Sequence, residues 1–323
     1  MSGMKTKTIK SVLRRKMDRL LESVECDKLR EDMQRDVVIT GGAIASMLLG
    51  EKVNDYDIYF RTRETTEAVA KYYVDRFIKR RIDRGGVVVP IYVESEPCKV
   101  HEDEHRVRIV AKSAGIDGEG GEKDYQYFEM RPPQEAGEYV SEIMDDPGKI
   151  AEIVGDTHEQ VLEQDEGEPY RPIFLSTNAI TLSGKVQIIL RFFGEPDQLH
   201  ANYDFVHCTN YWLSGENELI LRPEALEALL SKTLIYSGSR YPVCSLMRIR
   251  KFIQRGWTIN AGQILKAAMQ ISKLDLEDLD VLEDQLTGVD AAYFAEVIAK
   301  AKEGGATRIE SAYLVEIIER IFQ

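Results

Sequence analysis

Residues 37–60 read VVITGGAIASMLLGEKVNDYDIYF, and the rest of the chain reads as their scaffold. Val37, Val38 and Ile39 make a short apolar run suited to a buried strand. Gly41 and Gly42 break that strand with a turn where bare backbone can approach a ligand closely. Residues 43–49 favour helix, and Gly50 is a suitable stop. Residues 55–60 (DYDIYF) read as a second strand. Residues two apart on a strand share a face, so Asp55 and Asp57 point the same way. Two neighbouring carboxylates repel and need protons or cations between them. Mg²⁺ suits such a pair, because it takes a few carboxylates together with substrate phosphates.

A strand, Gly-Gly, a short helix and then Asp-x-Asp on a strand, with twelve residues between Gly42 and Asp55, resembles the nucleotidyltransferase superfamily. Within it, GGAIASMLLG followed by DYDI is most similar to the head domain of CCA-adding enzymes and bacterial poly(A) polymerases. The motif is specific as a package, whereas Gly-Gly or Asp-x-Asp alone is not. The resemblance implies an α+β fold: a nucleotidyltransferase-type mixed sheet with flanking helices, followed by an all-α C-terminal domain. It also implies metal-dependent transfer of a nucleoside monophosphate from an NTP, with Mg²⁺ or alternatively Mn²⁺. Stand-alone proteins of this kind occur in phages and in toxin or defence systems, an analogy of fold rather than of site.

The chain has 323 residues, 43% hydrophobic and 30% charged, which allows two domains and a sizeable core. No apolar run approaches the roughly 18–20 residues that span a bilayer. The basic N-terminus lacks a signal-peptide apolar segment and reads as an amphipathic helix with Ile9, Leu13, Met17, Leu20 and Leu21 on one face. A cytoplasmic location and no membrane partner are therefore expected. Cys26, Cys98, Cys208 and Cys244 show no paired spacing, as for reduced thiols.

The net charge of −13 is unevenly spread. Residues 94–170 hold 22 acidic and 7 basic residues, while residues 228–273 hold no acid at all. The acid-free span carries Lys232, Arg240, Arg248, Arg250, Lys251, Arg255, Lys266 and Lys273. Such asymmetry suits one polyanion-facing surface, favouring an RNA or tRNA acceptor; the alternative is a helical face that pairs with acids elsewhere.

Helix is expected over residues 5–34, as one or two pieces, and again over residues 64–81 with Ala68, Tyr72, Phe77 and Ile78 inward. Strands follow at residues 87–93 and 105–111. Residues 94–170 read as an acidic insertion in a catalytic domain spanning 1–221, containing a Gly-rich tip at 115–121, a strand at 125–130 and two helices. Residues 172–182 and 185–193 form a hairpin through Ser183-Gly184. Residues 196–201 suit a short helix and residues 203–209 (YDFVHCT) a strand. Beyond residue 222 the pattern is helical to the end, defining a helical domain over 222–323.

Within the resemblance, Asp204 on that later strand matches the third carboxylate, so Asp55, Asp57 and Asp204 are the catalytic and metal-ligating candidates. Asp204-Phe205 is similar to the Asp-Phe-Thr element of CCA-adding enzymes, with Val206 for Thr and Asn202-Tyr203 where two basic residues usually stand. RKFIQRGWTI at 250–259 resembles the helix that follows their head domain. Two further features depart from the pattern. Ala45-Ser46 stands where those enzymes carry an Arg-Asp pair, and Ser245-Leu246-Met247-Arg248 lacks the acids that read the incoming base. The acceptor and preferred base are therefore not carried over.

Gly41, Gly42 and the helix N-terminus are expected to meet the triphosphate, with Ser46 adding a hydroxyl. Arg248, Arg250 and Arg255 are candidates for base, phosphate or RNA contact; the bland reading is solvated helix charge. Tyr236, Tyr241 and Trp257 have stacking faces, but core packing is the better reading for Trp257. Cys98, His101 and His105 have zinc-like spacing without a convincing fourth ligand. His207 alternates away from Asp204 and reads as structural. The competing functional reading is a non-catalytic nucleotide- or RNA-binding module that keeps the fold; a weaker one is an interaction protein docking through its acidic insertion.

Overall fold

The computed structural model describes residues 3–83, 91–97, 105–111, 169–176, 178–285, 302, 305–310, 312 and 315. The chain divides into two compact units, Met1–Lys112 with Glu168–Ile271, and Ser113–Gly167 with Ser272–Gln323. Within the described residues the fold is α+β, with a mixed sheet and many helices.

In the first unit, α1 (Thr6–Glu22) buries Ile9, Leu13, Met17, Leu20 and Leu21, the stripe expected from sequence. α2 (Asp27–Asp36) runs directly into β1 (Val37–Thr40), so the expected N-terminal helix is two helices. α3 (Gly42–Leu49) and β2 (Tyr56–Phe60) follow, then α4 (Arg63–Asp83). α4 buries Val69, Tyr73 and Phe77 with Thr66, Ala70 and Val74, while Ala68 is exposed. The buried face is thus turned by about one residue from the expected one, because the β-branched and aromatic positions 69 and 73, not 68 and 72, fill the groove.

β3 (Ile91–Pro97) and β4 (His105–Ala111) form a separate antiparallel pair, packed on α4. β5 (Pro172–Leu175), β6 (Ala179–Leu182) and β7 (Val186–Ile189) form a meander, so the first expected strand is itself two antiparallel strands. After α5 (Pro196–His200) come β8 (Tyr211–Leu213) and β9 (Glu218–Ile220). The main sheet has the order β5-β6-β7-β2-β1-β8-β9, antiparallel except for β2 against β7. β1 lies in its interior, between β2 and β8, with all four residues buried. The helices α6 (Pro223–Ser231), α7 (Pro242–Gln254) and α8 (Ala261–Ile271) complete the unit. They share a core with α3, in which Ala45 and Phe205 pack with Leu229, Tyr236, Ile249, Trp257 and Ala267.

In the second unit, the described residues include α9 (Leu279–Gln285). There Arg308 pairs with Asp275 and Glu277, and Lys302 with Asp280 and Glu283. The expected elements at 115–164, most of the final two helices and the Cys98–His101 part of the zinc-like spacing lie outside the described residues. Among the described residues no helix is long and apolar enough to cross a membrane.

Asp36 fixes the start of the central strand. Its buried carboxylate accepts hydrogen bonds from Arg35 at 2.8 Å, Thr62 at 2.9 Å and Thr65 at 2.5 Å. Its carbonyl accepts the Arg61 N–H at 3.0 Å. Burial opposes the charge, but Arg35 and the two hydroxyls outweigh it and hold the carboxyl below its usual range. One residue therefore ties the ends of α2 and β2 to the start of α4. Asp36→Ala strands these donors and is expected to cost about 2–4 kcal/mol in urea denaturation. An unchanged midpoint would remove Asp36 from this role.

Candidate functional site

The site is built where β1 ends. β1 and β2 pair antiparallel with Ile39 opposite Ile58, so the chain leaves β1 beside Asp57. Gly41 there has φ 89° and ψ −148°, a conformation essentially confined to glycine. A Cβ on Gly41 would lie 3.2 Å from Asp57 Oδ2 and 3.6 Å from the Tyr203 hydroxyl. Gly42 has no such neighbour, and a Cβ there meets nothing within 4 Å. The two glycines thus differ: the first permits a close approach to a carboxylate, the second opens the N-terminus of α3.

The Gly41 N–H donates to the Cys208 carbonyl at 3.1 Å, so it is already committed to the fold. α3 starts without a side-chain cap, and helix starts carry N–H groups with no intrahelical acceptor. Gly42 and the following N–H groups, rather than Gly41, are the ones disposed toward an anion. Ser46 lies a turn further on, half-buried, with its carbonyl accepting the Glu51 N–H at 2.8 Å.

Asp57 is partly buried and Asp55 is exposed. Burial, and then the charge of Asp55, push the Asp57 carboxyl up to about 8, with Arg248 opposing. Asp204 comes from a different element. Residues 203–209 do not form the expected strand: Phe205 makes one bridge to Tyr236, and Val206–Cys208 is a 3₁₀ turn. The apolar alternation that suggested a strand instead directs Phe205 and His207 into the helical core. His207 lies 4.3 Å from the Trp257 ring, and burial lowers it to about 4.

Asp204 is buried, and its Oδ2 accepts a hydrogen bond from Arg248 Nη1 of α7. Its Oδ1 is shielded from solvent without a hydrogen-bond partner. Burial works against the Arg248 charge, but Asp204 more than offsets this and the guanidinium stays firmly protonated. Cys208 is pushed up to about 12 by burial, then by Asp204 and Asp57, so all three groups share one neighbourhood.

The structure thus brings Gly41, Asp55, Asp57, Asp204 and Arg248 into one electrostatic neighbourhood. Arg250 and Arg255 are exposed and make no described contact with it. Tyr236, Tyr241 and Trp257 are buried in packing, so none offers a free stacking face. Sequence reasoning missed Thr40 and His200, which support the turn from below. Thr40 Oγ1 lies 2.8 Å from His200 Nε2 and donates to the Asn210 carbonyl at 2.9 Å. Burial, then Arg222, lower His200 to about 4 and keep it neutral. Tyr203 was legible only as a departure from the family pattern, with no motif to place its hydroxyl near Gly41.

Among the described residues, no three His, Cys, Asp or Glu side chains are gathered as a metal-ion cluster. The donors present fit a cation with one or two protein ligands: the Asp57 carboxylate, whose pKa is raised by burial and by Asp55, and an unpartnered Asp204 oxygen. Mg²⁺ commonly takes one or two carboxylates and completes its shell with water and phosphate.

Fold and site together define an α+β protein whose central strand ends in a glycine turn facing acidic side chains. The family described as "Gabija anti-defense 2 family protein" matches residues 11–232, and the chain belongs to that family. A curated relative, Gabija anti-defense 2 of Bacillus phage SPbetaL7, is 21% identical over 121 residues. That match covers 37% of this chain and 30% of the relative, so the chain spans under a third of that protein's length. Among solved structures, the Thermotoga maritima CCA-adding enzyme complexed with tRNA is similar with TM-score 0.37 and 13% identity. The similarity covers 87% of this chain and 53% of that one.

The two glycines should respond differently. Gly41→Ala meets both positive-φ strain and Asp57, and is expected to cost about 1–3 kcal/mol in thermal or urea unfolding. Gly42→Ala is expected to stay within about 0.5 kcal/mol of the wild type. Equal effects would contradict the turn geometry.

Asp57 sets a pH dependence. Its folded value near 8 lies above the unfolded value of about 3.9, so the folded state binds more protons between them. Stability from this group is full below pH 4, falls as pH rises to 8 and stays low above. With chelator present, Asp57→Asn is expected to gain about 1–3 kcal/mol over wild type between pH 5 and pH 8.5. A difference independent of pH would show that Asp57 is ionised throughout.

Proposed function

We propose that the chain is a metal-dependent, template-independent nucleotidyltransferase that moves a nucleoside monophosphate from an NTP to an acceptor hydroxyl and releases pyrophosphate. The observation that carries this reading is the approach of Gly41 to Asp57, with Asp204 and Arg248 converging from other elements. Gly42 and the first turn of α3 bind the triphosphate through backbone N–H groups. Asp57 and Asp204, with the charge of Asp55 beside them, would hold Mg²⁺ or Mn²⁺, which would neutralise phosphate charge and acidify the attacking hydroxyl. Arg248 supplies positive charge to the phosphates, and the buried surroundings of Asp57 strengthen each such interaction. Arg250 and Arg255 are assigned to the acceptor rather than the nucleotide, because they lie exposed on and just beyond α7. We place this activity in the counter-defence role named by the family description, with an RNA 3′ end or a protein hydroxyl as acceptor.

One observation favours a second reading, a nucleotide-binding module without catalysis: Asp204 is already neutralised by Arg248. Incubation with each labelled NTP, Mg²⁺ or Mn²⁺, and mixed cellular RNA and protein separates the two. The first reading expects incorporation into one acceptor class, falling at least about 100-fold in Asp57→Ala and strongly in Asp55→Ala. Nucleotide binding without incorporation into any acceptor favours the module.

A further inference from the structure

Arg248 stands where a bound cation would compete with it. The Asp204 side chain is 3% exposed, and one of its oxygens is held by Arg248 while the other has no partner. A buried carboxylate stripped of half its acceptor partners is costly unless something else completes it. Arg248 itself is 43% exposed along its side chain, so its head can leave without the helix moving. Its neighbour Ile249 is buried in the core shared with α3, which fixes α7 in place. The Arg248 charge also acts on Asp57, Tyr59 and Cys208. It is thus one cation in the field of both carboxylates. A guanidinium does not lose its proton in proteins, so Arg248 can release Asp204 only by moving. A phosphate is its natural destination, since it pairs with a planar guanidinium through two parallel hydrogen bonds.

We propose that Arg248 is the resident counter-ion of Asp204, competing with a divalent cation until nucleotide phosphates draw the guanidinium away. This rests on the nucleotidyltransferase reading. It makes divalent-ion and nucleotide binding mutually reinforcing, and it disfavours loading of the site by metal alone. By linkage, each ligand then raises the affinity of the other by the same factor.

The test is Mn²⁺ binding to the full chain, read by electron paramagnetic resonance of free Mn²⁺, with and without a non-hydrolysable ATP analogue. In the wild type the analogue should tighten Mn²⁺ binding at least about tenfold. In Arg248→Gln, Mn²⁺ alone should bind more tightly than in wild type, by about fivefold or more, and the analogue's effect should shrink. Arg248→Lys keeps the charge without the planar fork and should fall between the two; it serves also if the Gln variant does not fold by circular dichroism. If the wild type binds Mn²⁺ through Asp57 but the Arg248 variants bind it equally or more weakly, the competition is overturned and the nucleotidyltransferase reading stands. If Asp57→Asn binds Mn²⁺ as the wild type does, even with the analogue, that underlying reading fails as well.

Discussion

The closeness of Gly41 to Asp57 is the constraint on which the rest of the structure depends. A side chain at position 41 would sit 3.2 Å from the Asp57 carboxylate, on a backbone that other residues rarely adopt. This closeness follows from the pairing of β1 with β2, and that pairing is held at its far end by Asp36. On the other side of β1, the Gly41 N–H and the Thr40 hydroxyl are engaged by the segment around Cys208 and Asn210. The turn is therefore clamped from two sides. Its remaining open direction is toward Gly42 and the start of α3, the direction an anion needs.

The helices α6, α7 and α8 matter to the site because they share a core with α3. Ala45, Phe205, Ile249 and Trp257 pack together, so α7 is positioned relative to the glycine turn by apolar contact rather than by charge. Arg248 precedes Ile249 and is delivered to Asp204 as a consequence. The same packing gives a physical reason for a small uncharged residue at position 45. It is buried against aromatic side chains, where an unpaired long charged residue would be costly to enclose.

Residues 37–60 carried most of what was legible in sequence. A buried apolar triplet, two glycines, a short helix and an alternating acidic strand each have local causes, and the structure places them as those causes dictate, except that β2 begins at Tyr56 and leaves Asp55 just before it. The α1 stripe was legible for the same reason, since its period is that of one helix packed on one surface. What sequence did not disclose depends on distant contacts. The segment around Asp204 alternates like a strand, yet Phe205 and His207 are drawn into the aromatic cluster with Phe252 and Trp257. Trp257 and Tyr236 have the composition of a stacking platform and are consumed by that core. Arg248, Arg250 and Arg255 look alike on a helix, and only the position of Asp204 separates the first from the others. The different duties of Gly41 and Gly42 likewise need the location of Asp57.

The proposed function requires the acidic side chains facing the glycine turn to hold a metal-bound triphosphate. Crystals grown with Mn²⁺ and a non-hydrolysable NTP, measured at the manganese absorption edge, address it directly. The expected result is an anomalous peak within coordination distance of Asp57, with phosphate oxygens against the Gly42 end of α3. Nucleotide density elsewhere in the fold, or no manganese peak at Asp57 with nucleotide fully bound, would contradict it.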